Sequence, residues 1–365
     1  MRLMAEDKIL SICIPTYNRA KVIDRLFQNI SKEIDGVAEA VEVCVSDNAS
    51  TDETQSLLNK WKKMLPLRYN INNSNLGYDI NVLKAIELAQ GKFIWLMGDD
   101  DLIVQGSLKR LIKNLEMNSD KDLGAVYLNL LVRKRWVDCF GFNDFKVFES
   151  EGKRVPISLG FIGSVCVNTA KVKRIIKEKI RMLDGKLIKT DFHKAILEEF
   201  IHAFLFLETA KNSAFYAISP RDGLILIGDV QSYSYKKKFI WEVSTLRYSL
   251  ELQKYYPEFK PAVSLRRELG CYLSLSAIAL ENDSFGNIFG LYSKAFIRYL
   301  EKRGSRTEAL LVGFFGQVIN MPIAKNGIII LHKYVRKKIG AQINDNNERD
   351  PEIERGAKIR DLEDI

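Results

Sequence analysis

Short apolar runs alternate with segments of helical periodicity along the N-terminal third of the chain, and this alternation is the strongest constraint on the fold. The runs have the length and the apolar or β-branched content of buried strands: ILSICI, VEVCV, LRYNI and KFIWLM. Apolar residues at helical spacing follow each run, as at Val22, Ile23, Leu26, Phe27, Ile30 and Ile34. The repetition predicts an α/β fold with a mostly parallel sheet and helices on both faces.

The pattern becomes less regular toward the C-terminus. GAVYLNLLV and FIGSVCV predict further strands, but helical periodicity dominates after about residue 235. We therefore expect an α/β domain over residues 1–235, a helical C-terminal region over 236–340 and a charged, flexible tail over 341–365. Ser50 and Glu53 have the spacing of a capping box, which predicts that a helix begins there.

An apolar strand, FIWLM, ends on three consecutive aspartates, Asp99, Asp100 and Asp101. Like charges at this separation repel, so a positive partner is expected. The candidates are a lysine or arginine cluster, a helix N-terminus and a divalent cation. A structural alternative is an acidic cluster stabilised by the dipole of the helix that begins near Ser107.

Polar residues follow three neighbouring strands of the predicted sheet. Asp47, Asn75 and the aspartate run come after the second, third and fourth strands. In open α/β sheets ligands bind beyond the carboxyl ends of the strands. We therefore expect these residues to converge on one edge of the sheet.

Composition and motifs argue against several classes of protein. Apolar residues make up 47% of the chain and charged residues 28%, which is ordinary globular composition. The longest uncharged run, residues 309–324, falls short of the ~20 apolar residues of a spanning helix. The acids in MRLMAEDKIL argue against a secretory signal, and five scattered cysteines suit reduced thiols in a cytoplasmic protein. Neither a G-x-G-x-x-G dinucleotide motif nor a nucleic-acid-binding motif is present.

Four motifs, SICIPTYNR, VSDNASTDET, NNSNLGY and GDDD, occur in an order and spacing that resembles the family 2 glycosyltransferases of the GT-A fold. The resemblance covers residues 1–130, which would form the nucleotide-binding half, with an acceptor half over 131–235. FIGSVCVN, LEEFIHAFLFLE and FYAISPRDG are similar to the abequosyltransferase branch of O-antigen assembly. The resemblance implies transfer of a sugar from a nucleotide-diphosphate donor, with Mg²⁺ or Mn²⁺ and with inversion at the anomeric carbon.

The same resemblance implies roles for individual residues. The loop from Pro15 through Thr16 and Tyr17 to Arg19 would wrap the nucleotide. Asp47 would accept a hydrogen bond from the base, and Asn75 and Gly77 would lie along the base and ribose. The three aspartates, Asp99, Asp100 and Asp101, would hold the ribose and the metal.

The chain departs from the family pattern in two places. Gly98 stands where the family has the first aspartate of its metal motif, so the metal ligand among the three aspartates is left open. The late histidine of many members is also missing from LIGDVQSYS, where Asp229 or water would complete the metal shell.

An inverting transfer needs a base near the acceptor hydroxyl, and a carboxylate suffices. The resemblance assigns it to an acidic pair at the start of a helix, here Glu199 first and Glu198 second, with Asp191 as a third candidate. The structural alternative for the pair is a solvated helix face. His202 would orient Glu199 or bind acceptor hydroxyls, unless it is a satisfied core residue.

The C-terminal segments YSYKKKFIW, YSKAFIRYLEKRGSR and IIILHKYVRKKIG mix basic and apolar residues. Basic amphipathic helices lie on anionic membranes, which would suit a glycan acceptor carried on a polyprenyl diphosphate. The alternative is a helical bundle with a basic face or an oligomer contact. Two other functions compete: a catalytically silent membrane-associated module, and a sugar nucleotidyltransferase, although its glycine-rich phosphate loop is missing.

Overall fold

The structure of the protein is a computed structural model. It describes residues 8–132, 135–136, 141–151, 159, 161–180, 182–183, 186–187, 200–225, 297 and 301. The chain divides into two units, residues 1–228 with 257–262, and residues 229–256 with 263–365. Almost all described residues belong to the first unit. The predicted boundary at residue 235, the helical region and the charged tail lie outside the described residues and stay predictions.

Ten strands of the described residues form one mixed sheet. The strands are β1 (Leu10–Thr16), β2 (Val41–Asp47), β3 (Leu67–Ile71), β4 (Phe93–Leu96), β5 (Leu102–Ile103), β6 (Leu123–Val132), β7 (Arg135–Trp136), β8 (Lys146–Glu149), β9 (Val165–Asn168) and β12 (Phe215–Ile225). Their order is β3-β2-β1-β4-β9-β6-β12-β5, with β7 beside β6 and β8 beside β12. Two short strands, β10 (Met182–Leu183) and β11 (Lys186–Leu187), form a separate antiparallel pair.

The predicted parallel arrangement holds for one half of the sheet and for the pair β6 and β12 in the other half. Strands β3, β2, β1 and β4 are parallel neighbours, and their order places β1 at the centre of this half. Strand β9 is antiparallel to both β4 and β6, and β5 and β8 are antiparallel to β12. The sheet is therefore mixed. Strand β9 lies out of chain order between β4 and β6 and is antiparallel to both.

Helices cover both faces of the sheet, as predicted. They are α1 (Ala20–Glu33), α2 (Thr54–Trp61), α3 (Tyr78–Leu88), α4 (Ser107–Met117), α5 (Thr169–Lys179) and α6 (Ile201–Lys211). Buried residues of α1, α2 and α4 share one apolar core with alternate residues of β1 and β2. Helix α3 contacts β1 and β2 and also packs against α6, which contacts α5. Strands β1, β2 and β4 are buried for this reason, whereas β3 at the edge of the sheet is partly exposed.

The predicted capping box at Ser50 and Glu53 is wrong. Helix α2 begins at Thr54, and its N-cap residue Glu53 forms no side-chain cap. Asp52 caps instead, since its Oδ1 accepts from the Thr54 amide at 3.0 Å. The Ser50 hydroxyl has other partners, because it accepts from the Asn18 amide at 2.8 Å and donates to Asp47.

The described residues contain no helix that is both long and apolar enough to span a bilayer. Cys13, Cys44 and Cys166 are buried free thiols. The basic C-terminal segments proposed for membrane or oligomer contact lie outside the described residues.

Candidate active site

The carboxyl ends of β1, β2 and β4 meet at one edge of the sheet. Thr16 at the end of β1 pairs in register with Asp47 at the end of β2. The Thr16 hydroxyl donates to Asp99 Oδ2 at 2.8 Å, which connects β1 to the aspartate run after β4. Pro15 and Thr16 are buried, whereas Tyr17 is 43% exposed at the rim of this edge.

Asp47 is completely buried at the end of β2. Its Oδ1 accepts from the amide and the hydroxyl of Ser50. Its Oδ2 is buried and has no hydrogen-bond partner among the described residues. Buried polar atoms are normally satisfied, so this oxygen retains the capacity to accept from a ligand.

Four asparagines connect the strand ends to the loop that precedes α3. Asn48 donates to Asn75 Oδ1 at 2.7 Å and accepts from Asn72 Nδ2 at 3.2 Å and from the Leu76 amide at 2.9 Å. Asn72 also donates to Asn81 at 3.1 Å, and Asn81 donates to the Thr16 carbonyl at 3.2 Å. Gly77, which ends this loop, has φ of +83°, a value that favours glycine.

This asparagine network, Asn48, Asn72, Asn75 and Asn81, brings the nucleotide-loop candidates Asn75 and Gly77 into one connected set with Thr16 and therefore with Asp99. No sequence motif pointed to Asn48, Asn72 or Asn81 as residues of the site. Their signal is weak in sequence, because asparagine is also the ordinary residue of turns.

Arg19 is the positive partner that the structure provides for the aspartate run. It lies at the N-cap of α1, with its Nε 3.4 Å from Asp99 Oδ1 and its Nη2 2.7 Å from Asp100 Oδ2. A second arginine of α1, Arg25, donates to the backbone carbonyl of Asp100 at 3.3 Å. An arginine cluster, which is one of the three partners considered from sequence, is therefore present beside the run.

The compensation of charge by Arg19 is incomplete. Burial raises the pKa of Asp99 to about 6, and Arg19 opposes this rise while Asp100 adds to it. Burial, with Asp100 and Asp99 beside it, raises the pKa of Asp101 well above its ordinary value. Asp101 is 6% exposed and forms no ion pair with any described residue.

Gly98 allows the second and third carboxylates to approach each other. A Cβ added at Gly98 would lie 2.8 Å from Asp101 Oδ2 and 3.2 Å from Asp100 Oδ1. Both carboxylates therefore occupy the space that an aspartate at position 98 would need. A side chain at position 98 would therefore require these two carboxylates to shift.

The described residues contain no preformed group of three His, Cys, Asp or Glu side chains that would hold a metal ion. Mg²⁺ usually takes only one or two carboxylates from the protein, together with substrate phosphates and water. Two adjacent carboxylates, one of them buried without an ion pair, fit a cation that binds with a donor diphosphate.

The segment after the aspartates is held by the far half of the sheet. Leu102 and Ile103 pair with Ile225 and Leu224 of β12, and the Gly163 carbonyl accepts from Trp95 Nε1 at 2.9 Å. A Cβ at Gly163 would lie 2.1 Å from Leu224 Cδ1 and 3.5 Å from Asp101 Oδ2. This packing places the Asp101 carboxylate beside Gly163.

His202 lies in the first turn of α6 and is 2% exposed. Its Nε2 donates to the Leu159 carbonyl at 3.1 Å, and its Nδ1 has no partner among the described residues. This buried environment is the one expected if His202 is a core residue. Glu198, Glu199 and Asp191 lie outside the described residues, so their assignment as the base, and the role of His202 toward Glu199, stay predictions.

Burial lowers the pKa of His202 to about 4, from an ordinary value of 6.5, with the Leu159 carbonyl opposing the shift. Below pH 6.5 the unfolded chain therefore binds a proton at His202 that the folded protein does not bind. The contribution of His202 to the free energy of unfolding is fully present above pH 6.5 and is lost as pH falls toward 4. Between pH 7 and pH 5, we expect the free energy of unfolding to fall by about 2 kcal/mol more in the wild type than in His202→Gln. Urea unfolding of both proteins at the two pH values measures this difference, and parallel pH profiles would contradict it.

The carboxyl edge of this α/β sheet holds a buried aspartate, a loop bound by asparagines and an aspartate run beside an arginine. Such an edge is the usual place of nucleotide binding in open α/β sheets. Residues 11–156 match the sequence profile of glycosyl transferase family 2. The resemblance to family 2 glycosyltransferases that the motifs predicted is therefore confirmed over this part of the chain.

Curated relatives match the same region. An abequosyltransferase, RfbV of Salmonella typhimurium, is 37% identical over 114 residues, which are 31% of this chain and 34% of that protein. A GalNAc(5)-diNAcBac-PP-undecaprenol β-1,3-glucosyltransferase of Campylobacter jejuni is 28% identical over 34% of this chain and 39% of its own length. The matches thus cover less than half of each relative.

Solved structures are similar at low identity. TarS 1–349 of S. aureus, in complex with UDP-GlcNAc, covers 93% of this chain and 98% of its own with a TM-score of 0.45 and 16% identity. The mannosyltransferase PcManGT of Pyrobaculum calidifontis, in complex with GDP-Man and Mn²⁺, covers 91% and 88% with a TM-score of 0.49 and 15% identity.

Proposed function

We propose that this protein is an inverting glycosyltransferase that moves a sugar from a nucleotide-diphosphate donor to a glycan acceptor in the synthesis of a surface polysaccharide. The observation that supports this function is the convergence of Asp47, Asn75 and Asp99 at one edge of the sheet, connected through Thr16 and the asparagine network. The family 2 profile over residues 11–156 supports the same reaction class.

On the donor side, Asp47 Oδ2 accepts from an imide or amine of the base, because it is a buried strand-end oxygen that lacks a partner among the described residues. Tyr17 covers the nucleotide at the rim, and Asn75 and Gly77 lie along the base and ribose. Asp99 is oriented by the Thr16 hydroxyl to accept from the ribose. The aspartate run places negative charge where the diphosphate arrives, so a positive group has to stand between them.

Asp100 and Asp101, with Asp99 beside them, would hold Mg²⁺ or Mn²⁺. When bound, the cation supplies Lewis-acid stabilisation of the charge that develops on the leaving diphosphate. The protein contributes the hard carboxylate oxygens that such cations prefer and a buried position for Asp101.

On the acceptor side, Glu199 takes the proton of the attacking hydroxyl. The hydroxyl oxygen forms a bond to the anomeric carbon, the bond from that carbon to the phosphate oxygen breaks, and the nucleoside diphosphate leaves with the electron pair. Attack from the face opposite the leaving group inverts the configuration. Glu198 is the second candidate for the base.

The acceptor we propose is a glycan on a polyprenyl diphosphate. The name of the Campylobacter relative specifies a lipid-linked acceptor of this kind. Contact of the basic C-terminal segments with an anionic membrane would bring the domain to such an acceptor, as a peripheral protein of the cytoplasmic face. The competing functions, a silent binding module and a sugar nucleotidyltransferase, have no supporting observation.

A donor screen tests the proposal. The purified protein is titrated with UDP, GDP, CDP and dTDP and their sugars in the presence of Mn²⁺, and hydrolysis of each sugar is followed. We expect one base to bind at least about ten-fold more tightly than the others, because a single buried acceptor oxygen discriminates among base edges. Binding of none of them, and hydrolysis of no donor, would contradict the proposed function.

A further inference from the structure

Arg19 stands at the place where the positive charge of a cation would be needed. Its guanidinium contacts a carboxylate oxygen of Asp99 and one of Asp100, at 3.4 and 2.7 Å. A divalent cation requires the same kind of oxygen, and it repels a guanidinium beside it. Arg19 and the cation are therefore competitors for Asp100.

The attachment of Arg19 permits it to move. Its main chain is fixed, because its carbonyl accepts from the Ile23 amide at 2.9 Å and begins α1, and its amide donates to the Thr54 hydroxyl at 3.3 Å. Its side chain is 30% exposed, and Asp100 is 31% exposed. A partly exposed ion pair of this kind is weak enough to exchange partners.

The diphosphate of the donor offers the displaced guanidinium an anionic partner. Arginine binds phosphate oxygens through two parallel N–H groups, as it does carboxylates. We propose that Arg19 couples metal binding to diphosphate binding: it neutralises Asp99 and Asp100 in the free protein, and it moves to the diphosphate when the cation takes Asp100. This inference rests on the proposed function and assigns Arg19 a role beyond enclosing the nucleotide.

Two consequences follow from this exchange. The cation alone binds weakly, because it must first displace Arg19 from Asp100. The cation and the diphosphate each raise the affinity of the other, since each removes the obstacle that the other meets, and the two factors are equal by linkage. The free protein also avoids three uncompensated carboxylates at the strand end.

The test measures Mn²⁺ binding without turnover, from the loss of the electron paramagnetic resonance signal of free Mn²⁺. We expect Arg19→Gln to bind Mn²⁺ alone about ten-fold more tightly than the wild type. Arg19→Lys, which retains a charge at this position, should stay close to the wild type. Lys21→Gln removes an exposed charge two residues away and is the matched control, with an expected change of less than about two-fold.

The second arm repeats the titration with UDP, GDP, CDP or dTDP at saturation. The increase in Mn²⁺ affinity caused by the diphosphate should be about ten-fold smaller in Arg19→Gln than in the wild type. Complex formation between Mn²⁺ and the nucleotide in solution is common to all variants and cancels in this comparison.

Unchanged or weaker binding of Mn²⁺ alone by Arg19→Gln would overturn the inference and leave Arg19 as a nucleotide contact or a structural ion pair. Equal coupling in the wild type and Arg19→Gln would overturn it as well. Failure of every nucleoside diphosphate to bind the wild type would instead contradict the proposed function, and the arm with Mn²⁺ alone would still decide whether Arg19 competes with the cation.

Discussion

Replacement of both Asp100 and Asp101 by asparagine is expected to reduce sugar transfer by at least about 100-fold in kcat/KM. The change removes two hard anionic oxygens from the strand end while preserving side-chain shape. It also removes the charge of the Asp100 carboxylate, whose Oδ2 lies 2.7 Å from Arg19 Nη2. Steady-state transfer or donor hydrolysis in Mn²⁺ measures the effect.

Replacing Asp101 by asparagine should preserve or raise the thermal stability of the protein, although activity falls. Asp101 is buried and forms no ion pair with a described residue, so a neutral isostere there removes a costly charge. We expect Asp101→Asn to unfold at an equal or higher temperature than the wild type. Asp35→Asn, an exposed aspartate in the turn after α1, is the matched control and should change neither property. Full activity of the double variant would eliminate the aspartate run from the mechanism.

Glu199→Gln is expected to reduce kcat by about 10²- to 10⁴-fold while donor affinity changes by less than about two-fold. The reason is that a general base acts on the acceptor hydroxyl and not on the nucleotide. Single-turnover transfer and direct titration of the donor separate the two quantities.

Glu198→Gln is the matched control for the base, since it is the adjacent residue of the same type. A smaller loss in Glu198→Gln than in Glu199→Gln would support the assignment to Glu199, and the reverse order would transfer the role to Glu198. Loss of donor binding in Glu199→Gln would contradict a role as base and indicate a structural or metal-binding role.

The parallel half of the fold was predictable because its signals are local. LRYNI predicted a strand at 67–71, and β3 has these bounds; KFIWLM predicted β4 with one additional residue at each end. Apolar spacing in GYDINVLKAIELA places Ile80, Leu83 and Ile86 on one face of a helix, and all three are buried in α3. A buried strand with a helix after it needs no long-range information to be recognised.

The far half of the sheet was less predictable because its order depends on distant contacts. Strand β9 lies between β4 and β6 and antiparallel to both, although its sequence VCVN has no feature that gives its direction. Strand β5 has two residues and exists through its pairing with β12. Neither arrangement follows from local propensity.

The site also combines features that were predictable from local sequence with features that depend on distant contacts. The sequence placed Asp47, Asn75 and Asp99 at strand ends, and topology was sufficient to expect them at one edge. The ion pairs of Arg19 join residues about 80 positions apart, and the hydrogen bond between Asn48 and Asn75 depends on loop conformation. Charge balance predicted that the aspartates need a cation, but only the three-dimensional structure identifies Arg19 as one.

A crystal structure with an intact nucleotide sugar and Mn²⁺ tests the central claim most directly. The account predicts that the diphosphate lies against Asp99–Asp101 with Mn²⁺ between them, that the base reaches Asp47, and that Arg19 has left Asp100. A diphosphate bound away from this edge, with the aspartates paired only with Arg19, would contradict it.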